Sequence, residues 1–232
     1  MRPLFVFVEG NIGSGKSTLL RAVEKFAWDA ADNVAVVVVF EQVSSWVNVG
    51  GTDLLKAMYD DPARYSGLFQ RTVLTSRAKA IEDALAPYAG TDKTVVVFCE
   101  RSMWSGRNVF ARMLHDTGKM DDTEYASYLQ YYDWHFTKLY GQQAELMLFL
   151  DCAPHVCFER VQQRGRAQER RTVDEKYLQS LDKAYYRALY CSDAGVPAKA
   201  LHVVDAENVA CVDTLTHVKQ KLQDTYPHLF KQ

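Results

Sequence analysis

The 232-residue sequence lacks the features that mark several large classes of protein. Its longest apolar run, Val34 to Phe40, is strand-sized and far shorter than the roughly 18 residues that a membrane-spanning helix needs. Its five cysteines are an odd number without a C-x-x-C pair, which argues against a disulfide-stapled fold and for reduced thiols. The first apolar run already begins at Leu4, so we expect no signal or transit peptide, no membrane partner and a cytoplasmic location.

An excess of basic residues is also missing. Lys and Arg total 27 against 29 Asp and Glu, which gives a net charge of −2. Proteins that coat nucleic acid usually carry a strong positive excess, so we expect no nucleic-acid partner. The hydrophobic fraction of 48% is enough for a sizeable core.

Five short apolar runs recur along the chain and are separated by stretches with helical spacing. The runs do not alternate with polar residues, which is typical of strands buried on both faces of a parallel sheet. The five runs are Leu4–Val8, Val34–Phe40, Thr94–Cys99, Leu146–Leu150 and Leu201–Val204. The main helical stretches are Leu68–Leu85, Asp122–Leu139 and Val173–Tyr190. We expect two helices between the second and third runs, including a long one after the start signal Asp61–Pro62. This alternation predicts one doubly wound α/β domain over residues 1–232.

A carboxylate follows each predicted strand: Glu9, Glu41, Glu100, Asp151 and Asp205. In open α/β sheets the ligand crevice lies beyond the carboxyl ends of the strands, so a cation or a polar ligand is expected there. The simpler alternative is that strands end where polar residues begin.

The segment after the first strand has the pattern G-x-x-x-x-G-K-[ST] between a strand and a helix, which is the context of a phosphate-binding loop. Its residues are Gly10, Asn11, Ile12, Gly13, Ser14, Gly15, Lys16, Ser17 and Thr18. Glycines let backbone N–H groups surround phosphate oxygens, and the helix N-terminus adds positive potential. Lys16 supplies a charge near the β- and γ-phosphates, and the Ser17 hydroxyl can ligate Mg²⁺.

The rest of the sequence narrows the phosphate chemistry. No N-K-x-D segment for guanine recognition occurs, and Leu146–Asp151 offers a single Asp where a mechanical ATPase usually has an acidic pair. A small-molecule kinase needs a carboxylate that accepts a hydroxyl proton and cations around the transferred phosphoryl group, and both are available.

Five motifs in order resemble the deoxyribonucleoside kinase family: GNIGSGKST, EQVSSW, MYDDP with LFQ, ERSMWSGRNVF and ERVQQRGRAQE. The family includes deoxycytidine, deoxyguanosine and mitochondrial thymidine kinases and a multisubstrate insect enzyme. The resemblance implies a P-loop kinase fold with a five-stranded parallel sheet flanked by helices, and an arginine-rich lid over about residues 160–171. It further implies transfer of the ATP γ-phosphoryl group to the 5′-hydroxyl of a deoxynucleoside, with Mg²⁺, in a homodimer.

The resemblance assigns the catalytic residues. Glu41 matches the general base for the 5′-hydroxyl, and Arg101 matches a residue that lies near the 5′-oxygen and Glu41. Glu100 matches the carboxylate that holds Mg²⁺ together with Ser17, for which Asp151 is the rival.

Five arginines lie in the predicted lid, at positions 160, 164, 166, 170 and 171. By resemblance, Arg164 and Arg166 neutralise charge in the transition state, and Arg160 stacks on the adenine of ATP. Glu169 matches a carboxylate that holds the sugar 3′-hydroxyl together with Tyr59. A solvated helix face is the alternative for this run.

The resemblance also assigns an acceptor pocket. Its aromatic walls are Trp46, Tyr59, Phe69 and Phe110, and Val73 belongs to the same pocket. Aromatic residues at such spacings are otherwise more often part of a core. The Gln70 amide has a donor and an acceptor side by side, so it can pair with the N3 edge of thymine or cytosine.

Arg77 and Gly106 form a mixed pattern. At the position of Arg77, the family's deoxycytidine and deoxyguanosine kinases have Arg and its thymidine-accepting enzymes have Met. At the position of Gly106, the first group has Asp and the second has Ala. Gly106 leaves room for a 5-methyl group, so we predict a kinase that prefers pyrimidines, with thymidine accepted and deoxycytidine as second substrate.

Two other hypotheses remain open. A nucleoside monophosphate kinase such as thymidylate kinase shares the loop and a lid, but it would not need the Glu41 base. A nucleotide-binding regulatory or nucleic-acid module could use the loop as a switch.

Overall fold

The computed structural model describes residues 3–139, 144–165, 172–191 and 195–231. Its centre is a five-stranded, all-parallel sheet in the order β2-β3-β1-β4-β5. The strands are β1 (Leu4–Gly10), β2 (Val34–Val39), β3 (Thr94–Glu100), β4 (Leu146–Asp151) and β5 (Leu201–Asp205). The five predicted apolar runs and the α/β architecture are therefore confirmed.

Helices cover both faces of the sheet. In the described ranges they are α1 (Lys16–Val23), α2 (Val43–Trp46), α3 (Leu54–Asp60), α4 (Pro62–Leu85), α5 (Met103–Ser105), α6 (Arg112–Asp116), α7 (Asp122–Leu139), α8 (Pro154–Arg164), α9 (Glu175–Tyr190) and α10 (Cys211–Thr225). A π-helical stretch, Gly106–Ala111, joins α5 to α6, and short 3₁₀ turns lie at Ala86–Tyr88 and Pro227–Leu229.

Alternate residues of the strands belong to two cores, one on each face of the sheet. Phe7 and Met147 pack with Leu181 of α9 on one face. Val6 and Leu148 pack with α1 and α10 on the other. This explains the unbroken apolar runs, because both faces of β1, β3 and β4 are covered.

Two expectations need correction. β2 is an edge strand, and its residues Val34 to Val38 are only half-buried, so an apolar run does not prove full burial. The chain between β2 and β3 contains three helices, of which α2 and α3 are short, where the sequence suggests two.

The predicted start of the long helix α4 is correct. The Asp61 side chain accepts a hydrogen bond from the Arg64 backbone N–H, and Pro62 follows as the first helical residue. In the part of the chain described, no helix combines the length and apolarity needed to cross a bilayer.

Candidate active site

A cleft of about 780 Å³ runs along the carboxyl edge of the sheet, with the phosphate loop in its middle. Nearly all of the predicted site residues line it. They are Ile12, Gly13, Ser14, Gly15, Lys16, Ser17, Thr18, Glu41, Trp46, Tyr59, Phe69, Gln70, Val73, Arg77, Glu100, Arg101, Gly106, Phe110, Arg160 and Arg164. Arg166, Glu169, Arg170 and Arg171 lie outside the described residues, so only the first part of the predicted lid is described.

The first two residues of the phosphate motif support the loop from behind. The Gly10 carbonyl accepts a hydrogen bond of 2.9 Å from Arg101, and the Asn11 amide donates to the Leu178 carbonyl at 2.9 Å. These bonds attach the loop to the segment after β3 and to α9.

Two glycines of the loop, Gly13 and Gly15, differ in what surrounds them. At Gly13 (φ 87°) a Cβ would lie 2.4 Å from the Cys157 carbonyl oxygen, so α8 packs against the loop backbone. At Gly15 (φ 99°), directly before α1, a Cβ would meet no atom within 4 Å. The loop therefore has a packed side at Gly13 and an open side at Gly15, which is the N-cap of α1, and phosphate oxygens bind well at a helix N-terminus.

Lys16 is buried under the loop. Its Nζ donates to the carbonyl oxygens of Asn11 at 2.6 Å and Gly10 at 3.2 Å. Burial, and next the charge of Arg101, lowers the pKa of Lys16 to about 8, although Glu100 and Glu41 oppose the shift. The ammonium group is thus held where a phosphate would restore its full protonation.

Glu100 connects the loop to the end of β3. The Ser17 hydroxyl donates to Oε1 of Glu100 at 2.8 Å, and the backbone N–H of Glu41 donates to Oε2 at 3.4 Å. A hydroxyl and a carboxylate are oxygen ligands of the kind that Mg²⁺ prefers. Asp151 is exposed at the end of β4 and close to Asp182, whose pKa it raises in addition to the larger effect of burial. The geometry therefore brings Glu100, and not Asp151, to Ser17.

Glu41 is held by two guanidinium groups. Arg101 Nε lies 3.3 Å and Arg77 Nη2 lies 3.1 Å from Oε1 of Glu41. Arg101 has a left-handed backbone conformation (φ 65°), which costs about 1–3 kcal/mol in a residue other than glycine. Its guanidinium also lies 4.7 Å from the centre of the Phe110 ring. This strained turn aims Arg101 into the cleft.

A buried network that the sequence did not reveal supports Arg101. Glu9 is fully buried, and its Oε1 accepts hydrogen bonds of 2.6 Å from the backbone and the hydroxyl of Ser102. Tyr185 donates to Oε2 of Glu9 at 2.9 Å and also contacts the Arg101 guanidinium. Burial disfavours the charged form of Arg101, but Tyr185 and the carboxylates of Glu41, Glu9 and Glu100 outweigh it and raise the Arg101 pKa. Tyr185 lies mid-helix in an amphipathic pattern, which is why it reads as a core residue in sequence.

Aromatic side chains wall one end of the cleft. Trp46 and Phe69 meet edge to face with ring centres 5.5 Å apart, and the Trp46 indole donates to Ser76 at 2.9 Å. Tyr59 packs on Tyr177, a residue missed by the sequence, at 6.3 Å. Gln70 is buried and lines the same cleft. Aromatic walls with a buried amide among them are the kind of lining that suits a nucleobase.

Gly106 also lines the cleft. A Cβ at position 106 would lie 3.0 Å from the Tyr128 hydroxyl and 3.8 Å from Arg77 Nη1. Tyr128 is buried, which raises its pKa. The space next to Gly106 is thus bounded by a tyrosine that sequence analysis did not select.

The other end of the cleft lies between α8 and the residues after β5. Arg160 donates to the Ala206 carbonyl at 3.2 Å and contacts the Cys152 sulfur at 3.4 Å. Arg164 lines the same region, as do Arg21, Cys211 and Thr214, which the sequence did not indicate. Arg160 and Arg164 therefore face the cleft, which argues against a purely solvated helix face.

Comparisons with known proteins agree with the resemblance seen in the motifs. A sequence model described as deoxynucleoside kinase matches residues 6–225. Deoxycytidine kinase 2 of Gallus gallus is 32% identical over 206 residues, which is 80% of this chain and 73% of that protein. A probable deoxycytidine kinase of fowlpox virus is 33% identical over 176 residues (76% and 67%). A mitochondrial deoxyguanosine kinase of Xenopus laevis is 32% identical over 194 residues (75% and 68%).

Proposed function

The chain belongs to the deoxynucleoside kinase family, and we propose from this that it transfers the γ-phosphoryl group of ATP to the 5′-hydroxyl of a pyrimidine 2′-deoxyribonucleoside. The family has a P-loop kinase fold, which agrees with the parallel sheet and the loop after β1. The product is a 5′-monophosphate for nucleotide salvage.

The observation that carries the proposal is the position of Glu41. It lies in the same cleft as the phosphate loop, and its backbone is joined to the loop through Glu100 and Ser17. A carboxylate opposite a phosphate site suits an acceptor that loses a proton, as an alcohol does. A nucleotide switch would not require it.

In the proposed mechanism Glu41 accepts the 5′-hydroxyl proton while Arg101 keeps the carboxylate in place. Phosphoryl transfer passes through a loose transition state, so positioning and charge neutralisation provide most of the catalysis. Lys16 and Arg164, with Arg166 of the predicted lid, would neutralise the phosphoryl oxygens, and Arg160 would lie against the adenine. Ser17 and Glu100 would hold Mg²⁺, which when bound neutralises the charge of the β- and γ-phosphates.

The proposed acceptor subsite is the aromatic end of the cleft. Trp46, Phe69 and Phe110 would enclose the base, Gln70 would pair with its N3 edge, and Tyr59 with Glu169 would hold the 3′-hydroxyl. Val73 and Gly106 would bound the 5-position. We propose thymidine and deoxycytidine as the substrates, although named relatives include deoxycytidine and deoxyguanosine kinases.

Two assays test the proposal. Labelled ATP with thymidine or thymidine monophosphate as acceptor separates a nucleoside kinase from a monophosphate kinase, and label on neither would favour a non-enzymatic nucleotide-binding protein. Competition among the four natural deoxynucleosides then tests the base preference, and a clear preference for purines would contradict the pyrimidine proposal.

We also propose a homodimer that forms through α4 and α7. These adjacent helices expose Leu68 on α4 and Tyr131 and Trp134 on α7, and Trp134 is 60% exposed. Large exposed apolar side chains on neighbouring helices are typical of interaction sites. Sedimentation of Trp134→Glu should show a monomer, whereas Tyr186→Glu, an equally exposed control on α9, should remain dimeric.

The cytoplasmic location stays a prediction, which imaging of the tagged chain would test.

A further inference from the structure

Arg77 contacts both the base end of the cleft and the candidate catalytic carboxylate. Its guanidinium donates to the Ser102 carbonyl at 3.2 Å through Nη1 and lies 3.1 Å from Oε1 of Glu41 through Nη2. The same Nη1 lies 3.8 Å from the place where a side chain at position 106 would begin. The side chain of Arg77 is only 6% exposed.

A buried guanidinium needs an acidic partner, because an unpaired charge in the interior costs several kcal/mol. Gly106 offers none, since it has no side chain. In the described part of the chain, the carboxylate that Arg77 contacts is that of Glu41. Arg101 reaches the same oxygen, so two arginines from different elements, α4 and the turn after β3, fix one carboxylate oxygen.

Tyr128 limits the size of the residue at position 106. Its hydroxyl lies 3.0 Å from the Cβ position of residue 106, and its side chain is buried on α7. A larger residue at 106 would have to displace that hydroxyl. Tyr128 therefore favours a small residue at position 106. A small residue there offers Arg77 no competing carboxylate, so Arg77 stays paired with Glu41.

We propose that Arg77 is a positioning residue for Glu41, a role that rests on the proposed function and on the lack of a carboxylate at position 106. In this chain Arg77 acts on the phosphoryl transfer of every acceptor and not only on the choice of base. An acidic group placed at 106 would compete with Glu41 for Arg77 and would slow the reaction.

The first experiment compares Arg77→Met with Arg71→Met. Arg71 lies on the same helix and donates to Ser127 of α7 at 3.1 Å, so its replacement reports general damage to α4. Three acceptors are used: thymidine, deoxycytidine and a deoxyribose that carries a phenyl ring in place of the base. We expect Arg77→Met to lower kcat roughly 10- to 100-fold for all three, because a slightly misplaced group has effects of that size.

In the same experiment, the KM for ATP should remain within about twofold, since the phosphate loop is unchanged. Arg77→Lys should restore part of kcat, and Arg71→Met should keep the wild-type kcat. The proposal is overturned if Arg77→Met raises only the KM for nucleosides, if its effect disappears with the phenyl acceptor, or if Arg71→Met loses as much kcat.

The second experiment leaves Arg77 in place and decides the question even if Arg77→Met does not fold. Both variants carry Tyr128→Phe, which removes the hydroxyl next to position 106. One of them then has Gly106→Asp, and the other has its neutral isostere, Gly106→Asn. We expect kcat of Gly106→Asp to be about tenfold or more below that of Gly106→Asn with all three acceptors, because only Asp competes for Arg77. Equal kcat values for the two would overturn the proposal. If the unmodified chain phosphorylates no deoxynucleoside, the proposed function fails instead.

Discussion

The Ser17 hydroxyl donates a hydrogen bond of 2.8 Å to Oε1 of Glu100 and so joins the first turn of α1 to the last residue of β3. The other oxygen of Glu100 accepts from the backbone N–H of Glu41. The Glu100 carboxylate thus connects the phosphate loop to Glu41, the residue that would accept the proton of the acceptor hydroxyl. Glu100 therefore contacts both the loop and Glu41, in addition to its proposed role as a Mg²⁺ ligand.

We expect Glu100→Gln to weaken the use of Mg²⁺. Gln keeps the size of Glu and can still accept from Ser17, but it lacks the charge that a hard cation prefers. The Mg²⁺ concentration for half-maximal activity should rise about tenfold or more. Asp151→Asn is the matched control, because Asp151 is the rival carboxylate and is exposed. A Mg²⁺ titration in which Asp151→Asn is the more affected variant would reverse the assignment.

Glu41→Gln should abolish most turnover and leave ATP binding intact. The amide retains the shape of the side chain but cannot accept the 5′-hydroxyl proton, and loss of a general base typically lowers kcat by about 10²- to 10⁴-fold. ATP affinity, measured by calorimetry, should stay within about twofold, because the loop residues are unchanged. Near-normal kcat in the variant would remove the assignment of Glu41 as the base.

These assignments differ in how far the sequence alone supports them. The strands, α7 and the start of α4 follow from apolar runs and from Asp61–Pro62, because local patterns encode burial and capping. Glu41, Glu100 and Arg101 follow from motifs and from their places beyond the strands. Glu9 and Tyr185 form one buried pair although they are 176 residues apart, and no local pattern reports such a contact.

The partner of Arg77 is a second case. The sequence suggests an arginine whose usual carboxylate is missing at position 106. Only the fold shows that α4 directs Arg77 towards Glu41, and that Tyr128 of α7 occupies the space beside Gly106. Side-chain direction between distant elements is set by tertiary packing, which composition and periodicity do not specify.

The affinity for ATP should fall as the pH rises above about 8. In the nucleotide-free protein, burial lowers the pKa of Lys16 from 10.5 to about 8, so the ammonium charge that attracts phosphate is lost above that pH. If only the protonated form binds, Kd rises about tenfold per pH unit beyond 8. Calorimetry from pH 7 to 9 should show this slope in the wild-type chain, and Lys16→Met should be flat. An equal slope in the variant would point to another group.

The same shift predicts the pH dependence of stability. The folded-state pKa of Lys16 lies below its unfolded value, so the unfolded chain binds more protons between pH 8 and 10.5. The free energy of unfolding of the nucleotide-free protein should therefore rise with pH in that window relative to Lys16→Met. Urea titrations of both proteins at about pH 7.5, 8.5 and 9.5, which roughly span this window, measure the difference. A free energy of unfolding of the wild-type protein that falls relative to that of Lys16→Met as pH rises would contradict the sign.

Gly13→Ala and Gly15→Ala should separate folding from nucleotide binding. Both residues have positive φ, so each Ala adds strain of about 1–2 kcal/mol. Only at Gly13 does the new Cβ meet backbone, 2.4 Å from the Cys157 carbonyl, so α8 has to move and unfolding by urea should show a loss of about 3 kcal/mol or more. At Gly15 the Cβ enters the open side of the loop, so the protein should keep most of its stability but bind ATP at least about tenfold more weakly. Equal stability losses in the two variants would show that α8 does not brace the loop, and unchanged ATP affinity in Gly15→Ala would show that phosphate does not occupy its open side.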